Sequence, residues 1–111
     1  TKVTLPFIGI DISTSKVNEV MTRLCLGTIE QIDIFDNYDS KKKFRSAEIT
    51  FSRIYEHNNS NIIMNQLGEG GEIVILMKKN KTSRWIMRNH MVGGIFGMRP
   101  KDFQKRIYIT I

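Results

Sequence analysis

Between residues 5 and 12, apolar Ile8, Ile10 and Ile12 alternate with Gly9 and Asp11, which predicts a strand with one buried face. Ser13, Thr14 and Ser15 then offer hydroxyl caps. Behind them Val17, Val20, Met21, Leu24 and Cys25 recur at helical spacing before Gly27, so a helix is predicted over 14–26 with Cys25 in its apolar stripe. Alternation returns over 28–36, with Ile32 and Ile34 opposing Gln31 and Asp33. After the polar loop Asn37–Lys43 it returns again over 44–55, where Ala47, Ile49 and Phe51 oppose Glu48, Thr50 and Ser52. Asn58–Ser60 reads as the cap of a second helix carrying Ile63 and Leu67 and ended by Gly68, Gly70 and Gly71. Strands over 72–78 and 83–90 form a hairpin across Lys79–Thr82. A glycine-rich connector (Gly93, Gly94, Gly97) leads to a last strand over 105–111, in which Ile107, Ile109 and Ile111 alternate with Tyr108 and Thr110.

Strand, helix, strand, strand, helix, strand, with extra C-terminal strands, implies an α+β fold. One antiparallel sheet with two helices on one face satisfies this order, the split βαβ sandwich. The 111 residues suffice for a single domain, 1–111, with its core at about 5–91 and the connector and final strand at 92–111.

This order resembles the RNA recognition motif (RRM) domain, a ferredoxin-like fold whose open sheet face binds single-stranded RNA. The resemblance spans roughly residues 5–91. In that family a hexapeptide and an octapeptide on the central strands present aromatics that stack on bases. Aligning the hexapeptide on Ile8–Ser13 puts Gly9 at the aromatic position, and aligning the octapeptide on Phe44–Phe51 puts Ser46 and Glu48 at the other two. Stacking contributes about 1–3 kcal/mol per base, so these departures imply an open face that does not take RNA in the family's manner. Asp11, Asp33 and Glu48, expected to share that face, would also repel phosphate. The abundance of Ile, Asn and Lys is similar to that of small proteins from AT-rich genomes, including those of large DNA viruses of amoebae.

Charge changes the picture locally. The net charge is +6, yet residues 1–55 carry eight basic against seven acidic side chains. Residues 76–111 carry Lys78, Lys79, Lys81, Arg84, Arg88, Arg99, Lys101, Lys105 and Arg106 against Asp102 alone. Trp85, Phe96, Phe103 and Tyr108 are interleaved among them. Lys and Arg neutralise phosphates and aromatic planes stack on unpaired bases, so this segment is the candidate surface for RNA or DNA without sequence specificity. A solvated basic edge that discourages strand pairing is the other reading. Trp85 reads either as a stacking platform or as a partly buried strand residue.

No catalytic, metal or cofactor constellation emerges. His57 and His90 lie far apart and read as surface histidines, and the single Cys25 implies a reducing compartment. Gly68-Glu69-Gly70-Gly71 lacks the Lys-Ser/Thr of a phosphate-binding loop. No small-molecule substrate is evident. The longest apolar run, Ile73–Met77, is too short for a membrane span. The expectation is a soluble intracellular protein, in cytoplasm or nucleus or packaged in a virion, without enzyme activity. The β-branched last strand on its tether further predicts a homodimer that buries Phe96, Met98, Phe103 and Tyr108.

Overall fold

The computed structural model describes residues 1–36, 44–78, 80–89 and 106–111, with only the backbone at 80–83. The elements follow in the order β1 (Lys2–Gly9), α1 (Thr14–Leu24), β2 (Gly27–Asp36), β3 (Phe44–Ile54), α2 (Asn58–Gly68), β4 (Glu72–Met77), β5 (Asn80–Asn89) and β6 (Arg106–Thr110). The strands form one six-stranded sheet in the order β2-β3-β1-β5-β4-β6. Every neighbouring pair is antiparallel except β4 and β6. The fold is therefore α+β, with an open, mostly antiparallel sheet and two helices.

Alternation decides which side chains enter the core. Val3 pairs with Ile49 and Leu5 with Ala47, while Ile32 and Ile34 of β2 stand opposite the same two β3 residues. Ile73 and Ile75 of β4 lie between Met87 and Trp85 of β5 and Ile107 and Ile109 of β6. Val17, Val20, Met21 and Leu24 of α1, with Ile63 and Leu67 of α2, join these strand residues in one buried cluster. Both helices thus cover the same face. Trp85 is 4% exposed and belongs to this core, as the buried reading of that residue requires.

Three local expectations are corrected. First, β1 starts at Lys2 and ends at Gly9, so Ile10 falls in the following turn and is exposed. The register with β3 shifts between Leu5 and Ile8, a bulge around Pro6, which has no N–H to give a ladder. The extra residue reverses the alternation: Val3, Leu5 and Ile8 are buried and Phe7 is turned out. Second, α1 stops at Leu24, and Cys25 is its C-cap, in the left-handed region at φ 54° and exposed. Leu26, wholly buried, takes the core place expected of the thiol.

Third, α2 is capped by His57 rather than by Asn58–Ser60. His57 Nδ1 accepts from the Ser60 N–H at 3.2 Å, and Nε2 lies 2.8 Å from the Cys25 carbonyl oxygen. A neutral ring protonated at Nε2 serves both contacts, so one imidazole ties the end of α1 to the start of α2. The buried Ser60 hydroxyl is occupied with the Tyr55 carbonyl instead. His57→Ala is expected to lower stability by about 1 kcal/mol, the worth of an N-cap, and His57→Asn to recover part of it. Urea unfolding of the two variants checks this; equal losses would assign the effect to the Cys25 contact rather than to the cap.

Candidate nucleic-acid interface

On the sheet face away from the helices Glu72 and Val74 of β4 are buried, while β1, β2 and β3 leave side chains exposed there, and this face divides into two halves. Where β1 ends and β5 begins, the face is aromatic and apolar. Phe7 on β1 and Phe44 on β3 are 42% and 45% exposed, their ring centroids 6.0 Å apart in an edge-to-face arrangement. Phe35 on β2, also exposed, is paired opposite Ser46 one strand further along. On the other side of β1, Arg84 and Ile86 of β5 continue the band, Arg84 standing opposite Leu76 of β4. Exposed rings with polarised edges and an adjacent guanidinium are a surface on which a flat aromatic ligand can stack.

The opposite half is charged and largely paired within itself. Asp33 stands opposite Glu48; the Gln31 amide donates to both Asp33 carboxylate oxygens at 2.8 and 2.9 Å, and Lys2 lies 3.7 Å from Glu48. Asp33 and Glu48 therefore share the open face as expected, with their charge met by neighbours. Asp11 does not join them. It lies in the turn after β1, which is closed by the Ile12 N–H on the Gly9 carbonyl and the Arg45 Nη1 on the Ile12 carbonyl.

Of the nine basic residues expected to bind phosphate, Lys78 and Arg84 are exposed and make no ion pair among the described residues. Arg88 and Arg106 are committed elsewhere. They stand on either side of Glu72, which is 1% exposed. Arg88 donates through Nε and Nη2 to one carboxylate oxygen at 3.2 and 3.0 Å. Arg106 Nε faces the other at 3.3 Å without a hydrogen bond. Arg88 also holds its guanidinium carbon 5.7 Å from the Phe7 ring centre, a cation–π contact that links the two halves of the face. The Lys81 side chain and the residues Lys79, Arg99, Lys101 and Lys105 lie outside the described residues, as do Phe96, Met98 and Phe103. Tyr108, the fourth residue of the expected dimer interface, is 57% exposed on β6, an edge of the sheet among the described residues.

Sequence reasoning missed Phe7, Phe35, Phe44 and Glu72 as site residues. The signal for Phe7 is Pro6: a proline inside an alternating run marks a bulge, and shifting the alternation by one residue after it turns Phe7 outward. The signal for Glu72 is a carboxylate heading the apolar run Ile73–Met77, a position that stays buried only if cations come to it.

Between the ends of β1 and β5 the sheet is open. The two strands pair only at Val3–Asn89 and Thr4–Arg88, and beyond the bulge a slot of about 670 Å³ separates Phe7 and Gly9 from Arg84, Trp85 and Ile86. It reaches through to α1, where Lys16 and Arg23 both pair with Glu19.

Among the described residues, no three His, Cys, Asp or Glu side chains gather as a metal site, and no helix is long and apolar enough to cross a membrane. Comparison with protein-family models, with curated proteins and with solved structures finds no match.

Proposed function

We propose that this protein is a non-enzymatic, RRM-like binding module that takes single-stranded RNA or DNA, without sequence specificity, on the aromatic half of its open sheet face. The observation that carries the reading is the Phe7–Phe44 pair, two exposed rings on adjacent central strands with the cations Arg84 and Lys78 at the same end of the sheet. Bases stack on the rings and phosphates reach the cations, which is how sequence-tolerant single-strand binders divide the work. The scaffold supports this. β1 has β3 on one side and β5 on the other, both antiparallel to it, and β1-α1-β2 straddles β3, an arrangement similar to the four central strands of a ferredoxin-like sheet. On that reading β4 and β6 are additions at one edge.

Fluorescence anisotropy with labelled oligouridine, oligothymidine and a DNA duplex tests it. Binding of the single strands is expected to weaken with salt, with a log–log slope of about −1.4 if Lys78 and Arg84 neutralise about two phosphates. No binding at low salt, or tighter binding of the duplex, would overturn it.

A homodimer is the second reading, favoured by Tyr108 standing exposed on β6, an edge of the sheet among the described residues. Light scattering on the wild type and Tyr108→Arg decides between a dimer that the arginine splits and a monomer.

A further inference from the structure

We infer that the slot between β1 and β5 binds one nucleoside phosphate, base inward and phosphate on the β4–β5 hairpin; this rests on the single-strand reading and deepens it to a discrete mononucleotide site. The volume of about 670 Å³ falls within the range of about 300–1,000 Å³ that small ligands occupy.

The walls differ in a way that orients a ligand. On the hairpin side Lys78 and Arg84 bring two positive charges without an ion-pair partner among the described residues. On the helix side Glu19 already answers Lys16 and Arg23, and Asp11 adds a carboxylate on the turn. An anion is thus drawn to the hairpin and repelled from Asp11, while N–H groups of a base find an acceptor there. Phe7, Phe44 and Trp85 all line the slot, so its walls suit a flat ring. A fatty acid would satisfy the cations and the apolar walls but offers no donor to Asp11.

The slot is also held in shape. Pro6 and the bulge take β1 away from β5, and Arg45 pins the turn after β1 through the Ile12 carbonyl while its Nε pairs with Asp36 at 2.7 Å. Little ordering is left for a ligand to impose.

Trp85 is the only tryptophan, so its fluorescence reports on the slot directly. The full chain is titrated with AMP, UMP, inorganic phosphate and decanoate, and in parallel with labelled oligouridine. The expected result is a saturable change with the nucleotides and none with phosphate or decanoate. Lys78→Gln and Arg84→Gln, both at exposed positions, should each raise the nucleotide Kd about tenfold, the loss of one charge-assisted contact, with circular dichroism unchanged. Oligouridine binding without a nucleotide response, a response equal for decanoate, or Kd values unmoved in both variants would overturn the slot and leave the face reading standing. Absence of both responses would overturn the two together.

Discussion

Replacing Phe7 and Phe44 together by alanine is expected to weaken single-stranded oligonucleotide binding about a hundredfold while the protein stays folded. Each ring contributes about 1–3 kcal/mol per stacked base, and because the two rings touch, their losses couple, which holds the double loss near the low end of the summed range. Both side chains are nearly half exposed and neither belongs to the buried cluster, which limits the cost to the fold. Phe7→Ala also strips the partner from the face of the Arg88 guanidinium, but Arg88 keeps its hydrogen bonds to Glu72. Anisotropy titrations at one fixed salt concentration, with thermal unfolding of the same samples, separate affinity from stability. A double variant that binds as the wild type does would remove the aromatic half of the face from the site. Its salt slope should equal the wild-type slope, because the phosphate contacts are untouched.

How much of this was legible in the sequence depends on what sets each feature. Strands such as β3 were visible because Ala47, Ile49 and Phe51 are buried through strict alternation, a one-dimensional signal. The stripe Val17, Val20, Met21 and Leu24 was visible for the same reason. The strand order was not, since nothing in residues 72–89 states that β5 rather than β4 lies against β1. Pairing across a sheet is a long-range choice made by the whole core.

The errors at Phe7, Cys25 and His57 share one cause. Each sits where a regular element ends or breaks, and there a single backbone conformation overrides the period. At Pro6 the missing N–H reverses which side chains face outward. At Cys25 the left-handed conformation ends the helix one residue before the stripe would bring the thiol inward. His57 caps α2 because its ring reaches both the Ser60 N–H and the Cys25 carbonyl, and the second lies 32 residues away.

The charge reading lacked a different kind of information. The basic excess of residues 76–111 is real, but a sum of charges does not say which are spent internally. Glu72 lies outside that segment and between two of its arginines in space, so Arg88 and Arg106 are paired internally. Arg84 and Lys78 lie at the other end of the hairpin, out of its reach along β4. The basic segment thus has two roles, one at the sheet edge beside Glu72 and one, under the proposed function, facing a ligand.

The first of those roles has a large energetic signature. Glu72→Ala is expected to destabilise the protein by about 3 kcal/mol and to release β6 from the sheet. Removing one side of a buried ion pair costs about 3–5 kcal/mol because the remaining charge stays unanswered. The lower end applies here, since Arg88 and Arg106 have side chains 27% and 47% exposed and can turn toward water. β6 has only five residues and one neighbour among the described residues, so its hold on the sheet depends on the ladder with β4, the half-buried Ile107, Ile109 and Ile111, and this pair. The terminal bonds, Lys78 N–H to the Ile111 carbonyl and Ile111 N–H to the Leu76 carbonyl, lie at the opposite end of β6 and cannot replace it. Glu72→Gln keeps the shape and an acceptor for Arg88, so it should lose less. Chemical denaturation gives the energies, and amide hydrogen exchange over 106–111 reports the strand. Wild-type protection of β6 in Glu72→Ala would mean that the ladder and the isoleucines hold the edge by themselves, and that the buried carboxylate serves to position Arg88 beneath Phe7.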